Sequence, residues 1–261
     1  MNSKDKKFQM TSASNSVKIS FIDRIASSAA SSMQNIDVRD FKSFSSVLII
    51  VTGGEMVNNQ INDVLNDMII KANLLISDSA IPQFDTLFWD TFIDGNSFEI
   101  DNVIELANNI KDNYLDYDGF VIIHGISTLT YTASYLSFML ENLNKPVCFT
   151  GAYRTLNDVF SSARANLLNS LVIAGQESIH HVVVCFNRNI YQGNRITRIS
   201  NSISTPFESV NYPLIGKIDI ELKLTKSLRV SQSKKPFKVF TNLFKNIIVI
   251  ILTPLLSDNI L

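Results

Sequence analysis

Two cysteines and three histidines in 261 residues leave little material for a disulfide framework or a metal centre. Cys148 and Cys185 each lie inside an apolar run, Pro146 to Phe149 and Val182 to Phe186, and read as small buried hydrophobes. With His124, His180 and His181 as the only histidines, neither a metal nor another cofactor is expected. Charge of one sign is lacking too. Lys+Arg is 23 against 24 Asp+Glu, so the net charge is −1 and the chain as a whole gives no reason to expect a nucleic-acid or membrane-surface partner. Long apolar runs are missing. The longest, Ile247 to Leu252, is far too short to span a bilayer and reads as a buried strand ended by Thr253 and Pro254. The opening MNSKDKKFQMTSASNS carries charges with no apolar stretch behind them, so no secretory signal is read and a soluble, cytoplasmic setting is expected.

What is present is a globular composition, 46% hydrophobic and 18% charged, with ample material for a core. Residues 1–44 are polar and serine-rich, clustered at Ser27, Ser28, Ser31 and Ser32, and read as a loose extension with one short helix near Ile25 to Met33. Order is expected from Ser46. Val47 to Val51 is a continuous apolar run that stops at Thr52-Gly53-Gly54, a buried strand feeding a glycine turn. Phe120 to Ile123 stops at His124-Gly125, Val147 to Phe149 at Thr150-Gly151, and Val182 to Phe186 at Asn187.

Helical stripes lie between these runs. One holds Ile100, Val103, Ala107 and Ile110; a second holds Leu129, Ala133, Leu136, Leu140 and Leu143, with Ser127 or Thr128 placed to cap it. A third, Ala163, Leu167, Leu171 and Ala174, is opened by Asn157 and Asp158 and closed by Gly175. Strands alternating with amphipathic helices predict a three-layer α/β fold on a mainly parallel sheet. Ligands of such sheets lie beyond the carboxyl ends of the strands. Here those ends are Thr52-Gly53-Gly54-Glu55, His124-Gly125-Ile126-Ser127-Thr128 and Thr150-Gly151-Ala152. Taken without further context, Ser127 and Thr128 are helix caps, Lys145 is a loop cation, and His124 is a hydrogen-bonded structural histidine at a strand end.

Between Leu222 and Asn246 there are seven basic residues and no acidic one. A solvated linker is the plain reading. Anion or nucleic-acid binding is the sharper one, but aromatic interleaving is limited to Phe237, Phe240 and Phe244.

Six ordered segments resemble the L-asparaginases, specifically the cytoplasmic bacterial type I enzymes. Ser46 to Gly54 (SVLIIVTGG) resembles their first strand and TGGT turn. Asp116 to Pro146 carries the longest likeness, with His124-Gly125-Ile126-Ser127-Thr128 where the family reads HGTDT. Val147 to Tyr153 resembles the next strand and turn, Ser162 to Gly175 the ARxNLLxALxxAG helix, Tyr191 to Arg195 the YRGNR segment, and Ser209 to Leu214 the SPNxPPL segment. The resemblance implies an asparaginase-like N-terminal α/β domain over residues 45–221, a basic linker over 222–246, and at 247–261 the start of a C-terminal domain that is cut short.

It also implies a chemistry. In the family a threonine hydroxyl attacks the side-chain amide of asparagine, and water then releases aspartate from the acyl-enzyme. A hydroxyl needs help from a base and a proton path to do this. Carried over residue by residue, the threonine of TGGT falls on Glu55, the first threonine of HGTDT on Ile126, its aspartate on Ser127, and its last threonine on Thr128, which is retained. The relay lysine is placed on Lys145. Asp94-Gly95-Asn96-Ser97 occupies the region of the substrate-binding DSSD segment, with Gly95 or Asn96 at the serine. The family's loop tyrosine has no counterpart, since the first tyrosine of the chain is Tyr114. These substitutions predict an impaired or inactive asparaginase, with small-molecule amino-acid binding and self-association as what the resemblance leaves in place. Two alternatives are an amidohydrolase rewired around Glu55 and Lys145, and a non-catalytic scaffold or ligand-binding module.

Overall fold

The structure, a computed structural model, describes residues 45–57, 81–199, 206–219, 221–225, 231–244, 247 and 249. The serine-rich stretch 1–44 and its expected short helix lie outside them.

Twelve strands and three helices are formed among the described residues. The strands are β1 (Ser46–Gly53), β2 (Gln83–Ile93), β3 (Gly119–Ile123), β4 (Leu140–Glu141), β5 (Val147–Thr150), β6 (Val182–Phe186), β7 (Asn189–Gln192), β8 (Thr197–Arg198), β9 (Phe207–Glu208), β10 (Gly216–Ile218), β11 (Leu222–Leu224) and β12 (Lys238–Val239). The helices are α1 (Ile100–Asp112), α2 (Leu129–Met139) and α3 (Ala163–Ala174). Eight strands form one sheet in the order β11-β10-β7-β6-β5-β3-β1-β2. The contacts among β2, β1, β3, β5 and β6 are all parallel, and β7, β10 and β11 add an antiparallel edge.

A side chain on a strand alternates between faces, and both faces here are apolar. Leu48 and Ile50 pack with Val103, Leu106 and Ile110 of α1 and Ala133 and Leu136 of α2. Val47, Ile49 and Val51 point the other way, onto Ala163, Leu167, Leu171 and Ala174 of α3. The result is the expected three-layer α/β arrangement. Cys148 and Cys185 are both buried, free thiols in a third cluster with Val183 and Ile190.

Three local expectations are corrected. The second helix stops at Met139 rather than running to Leu143, because Leu140 turns extended and pairs with Val239 of β12. The third helix opens at Ser162 rather than at Asn157 or Asp158. The Asp158 carboxylate instead closes its own short turn, accepting from the Phe160 amide at 2.8 Å and from Arg154 at 2.8 Å. Where a solvated basic linker was expected, Leu222–Leu224 forms an edge strand of the main sheet. Further along, Phe237 stacks on Tyr114 with ring centroids 3.7 Å apart. Apolar residues between the lysines account for this docking. Of the expected strand Ile247 to Leu252, only Ile247 and Val249 are described; both are exposed and outside any strand, with no described strand beside them to pair with.

Candidate functional site

Three loops leave the carboxyl end of the parallel sheet and meet at three glycines. A Cβ on Gly54 would lie 2.5 Å from the Gly125 Cα, and one on Gly125 would lie 2.3 Å from the Gly95 Cα. The main chains after β1, β2 and β3 are therefore in direct contact. Gly54 has φ +90°, a left-handed conformation that other residues adopt only with strain. Each glycine is followed by one of the residues singled out in the sequence: Gly54 by Glu55, Gly95 by Asn96, Gly125 by Ile126. Contact between the glycines thus brings these positions, distant in sequence, within a few residues of one point.

Hydrogen bonds lock the loops. The Gly54 amide donates to the Ile93 carbonyl at 3.1 Å. Thr52 and Thr150, buried at the strand ends, donate to the carbonyls of Ile123 and Cys185 at 2.9 and 3.1 Å. The Thr128 hydroxyl donates to the Gly95 carbonyl at 2.6 Å. It occupies the first boundary position of α2, but no side-chain capping bond is made, so the expected cap is replaced by a tie between two strand-end loops. Thr128→Val is expected to cost about 1 kcal/mol in a denaturant unfolding curve, the usual worth of one such bond. Thr128→Ser should recover most of that loss.

Ile126 is 1% exposed and belongs to the core on the α1 and α2 face. Glu55 and Asn96 are exposed, Gly95 is buried, and Ser127 and Thr128 are half-buried. His124 is fully buried beneath them. Its Nδ1 lies 2.9 Å from the Gly125 carbonyl, so that nitrogen carries the proton in the neutral ring. Phe98 and Phe149 stand 4.2 and 5.8 Å from it, centroid to centroid, and Nε2 has no hydrogen-bond partner among the described residues. Burial pushes the imidazole down to about 4, with only the Gly125 carbonyl opposing. It is hydrogen-bonded at a strand end, through one nitrogen only among the described residues.

Lys145 does not join this group. It precedes β5 and so lies at the amino end of the sheet, whereas Glu55, Ile126 and Ser127 follow the carboxyl ends of β1 and β3. Its Nζ donates to the Tyr114 and Tyr117 carbonyls, the latter at 2.6 Å, and lies 4.7 Å from the Tyr114 ring centroid. Asp118, whose carboxylate accepts from the Ser46 amide at the start of β1, is the nearest influence in charge. Burial lowers the lysine's pKa, partly offset by Asp118 and Asp116. The eight residues of β1 separate that end from Glu55 by about 25 Å. The likeness from Asp116 to Pro146 is continuous, but α2 carries the chain from the carboxyl end of the sheet to its amino end between Thr128 and Lys145. A cation not singled out before, Arg198, lies back toward the carboxyl side: it pairs with Phe207, whose ring meets Phe186 at the end of β6 at 5.2 Å. Its only sequence signal is its position three residues after Arg195.

No cluster of His, Cys, Asp or Glu able to hold a metal occurs among the described residues, and none of their helices is long and apolar enough to cross a membrane.

Five parallel strands, helices on both faces and a meeting of three glycines at the strand carboxyl ends define an open-sheet α/β protein. Residues 46–229 match the family described as "Asparaginase, N-terminal", and the chain belongs to the asparaginase family. It is 38% identical to the L-asparaginase of Dirofilaria immitis over 170 residues, which is 65% of this chain and 29% of that protein. It is 39% identical to L-asparaginase 1 of Escherichia coli K12 over 143 residues, 55% of this chain and 42% of that one. Among solved structures, L-asparaginase I of Vibrio cholerae is similar with a TM-score of 0.74 and 32% identity, over 84% of this chain and 67% of that one. The chain thus spans less than half the length of these two curated relatives.

Proposed function

We propose that this chain is an asparaginase-like protein whose strand-end loops receive a small amino-acid ligand but whose hydrolysis of L-asparagine is severely impaired. The buried, hydroxyl-free side chain of Ile126, at a position where the family resemblance calls for a threonine, is the observation that carries this reading. Glu55, at the other nucleophile position, is an exposed anion rather than a hydroxyl. Groups that act as a unit lose most of their rate when one is removed, so two replacements leave little. What supports ligand binding is the meeting of the three strand-end loops, which places Asn96 and Ser127 next to the glycine contact. Pairing Glu55 with Lys145 in a rewired hydrolase gains no support, since about 25 Å of strand lies between them.

Ammonia release from L-asparagine and L-glutamine tests the proposal. Wild-type protein is expected to match a protein-free blank, while L-asparagine or L-aspartate raises its melting temperature. Release abolished by Glu55→Gln would refute the proposal in favour of a rewired enzyme. Lys145→Ala is expected to lower the melting temperature without altering ammonia release.

A further inference from the structure

At the opposite end of the sheet from the three meeting glycines lies a cavity of about 300 Å³. It is lined by Ser137 of α2, His180 before β6, Gln192 and Asn194 around the end of β7, and Ser231 and Ser233. That volume is at the lower end of the range for small-molecule sites. One wall is a strap held by paired amide bonds. Asn144 donates to the Ser233 carbonyl at 2.8 Å and accepts from the Ser233 amide at 2.7 Å, while Asn142 donates to the Pro236 carbonyl at 3.1 Å. The other wall is the Tyr191 to Arg195 segment, which is drawn close because the Gly193 amide donates to the Val182 carbonyl at 2.9 Å.

The hydrogen-bonding inventory of the lining is specific. Among the described residues, neither an acidic side chain nor a lysine or arginine lines the cavity, so they offer no fixed countercharge to an ion. The Asn194 Oδ1 is buried and accepts no hydrogen bond from any described residue. Burying such an acceptor unsatisfied costs about 1–3 kcal/mol. Ser137 spends its proton on the Ala133 carbonyl at 2.7 Å and keeps acceptor capacity. His180 Nδ1 lies 3.0 Å from the Asn144 carbonyl and must carry the proton there, which leaves Nε2 as an acceptor in the neutral ring. The walls therefore present acceptors at Asn194, Ser137 and His180, beside donors of Gln192 and Ser231, to whatever fills the space.

We infer that this cavity is a second ligand site, for a neutral small molecule rich in hydroxyl donors, a polyol or monosaccharide. The site is independent of the proposed amino-acid site at the strand-end loops. Titration calorimetry on the full chain with D-ribose, D-glucose and myo-inositol tests it, with L-aspartate and putrescine as charged comparators. At least one polyol is expected to bind saturably at a single site. Asn194→Ala and, separately, Gln192→Ala should each weaken that binding by about tenfold, the effect of one lost hydrogen bond at the upper end of its range. Melting curves identify a variant that fails to fold, and the other then decides. The inference is overturned if no polyol binds, if both folded variants bind as wild type does, or if a charged comparator binds equally well through the same two residues.

Discussion

Alanine in place of Gly125 is expected to destabilise the protein by about 3–5 kcal/mol, the range of severe steric and strain effects. The new Cβ would sit 2.3 Å from the Gly95 Cα and 2.9 Å from its nitrogen, with the Gly54 Cα at 3.5 Å. Those are main-chain atoms of tight loops, so no flexible side-chain tip can swing aside. Relief requires one loop to move. Displacing Gly95 strains the Thr128 bond to its carbonyl, and displacing Gly54 strains its bond to Ile93. Gly125 itself has no positive φ, so the cost is contact rather than backbone conformation. Guanidinium unfolding of Gly125→Ala beside Thr128→Val makes the comparison direct. A loss of under about 1 kcal/mol, typical of an unremarkable surface change, would mean that the three loops are not in contact in solution.

The second large effect is in acid. His124 titrates near 4 in the folded protein against 6.5 when free, because burial disfavours its charged form. Below 6.5 the unfolded chain takes up a proton that the folded chain does not, so stability must fall as pH falls through that window. The loss from this one group reaches about 3 kcal/mol by pH 4 and flattens below it. Carboxylates add their own slopes, so the measurement is a difference. His124→Gln keeps a donor for the Gly125 carbonyl but does not titrate. Its unfolding free energy, subtracted from wild type at each pH, should trace that window. A flat difference between pH 6.5 and 4 would show that water reaches the ring.

Much of this fold is legible in the sequence because buried parallel strands are continuous apolar runs. Val47 to Val51, Phe120 to Ile123, Val147 to Phe149 and Val182 to Phe186 all lie in strands of the main sheet. The edge strand β2 does not announce itself. Its eleven residues, QFDTLFWDTFI, mix exposed and half-buried positions with two aspartates, since only β1 flanks it. The end of α2 was hidden for another reason: its partner strand, Lys238–Val239, is about a hundred residues away. At the strand ends, the glycines were legible as turns in the sequence. Their mutual contact, and the separation of Lys145 from them, are properties of strand length and register that local motifs do not carry.

The chain has one tryptophan, and its position gives that fact a use. Trp89, 5% exposed on β2, stacks on Phe98 at 5.8 Å, and Phe98 in turn touches His124. Its indole nitrogen donates to Asn109 on α1 at 2.8 Å. The molecule thereby carries its own optical reporter, joined through one phenyl ring to the buried histidine beside the strand-end glycines. Emission from this single fluorophore follows the packing at that end of the sheet, undiluted by any other indole. Loop rearrangement in the glycine variant and protonation in acid can both be watched in the unlabelled protein.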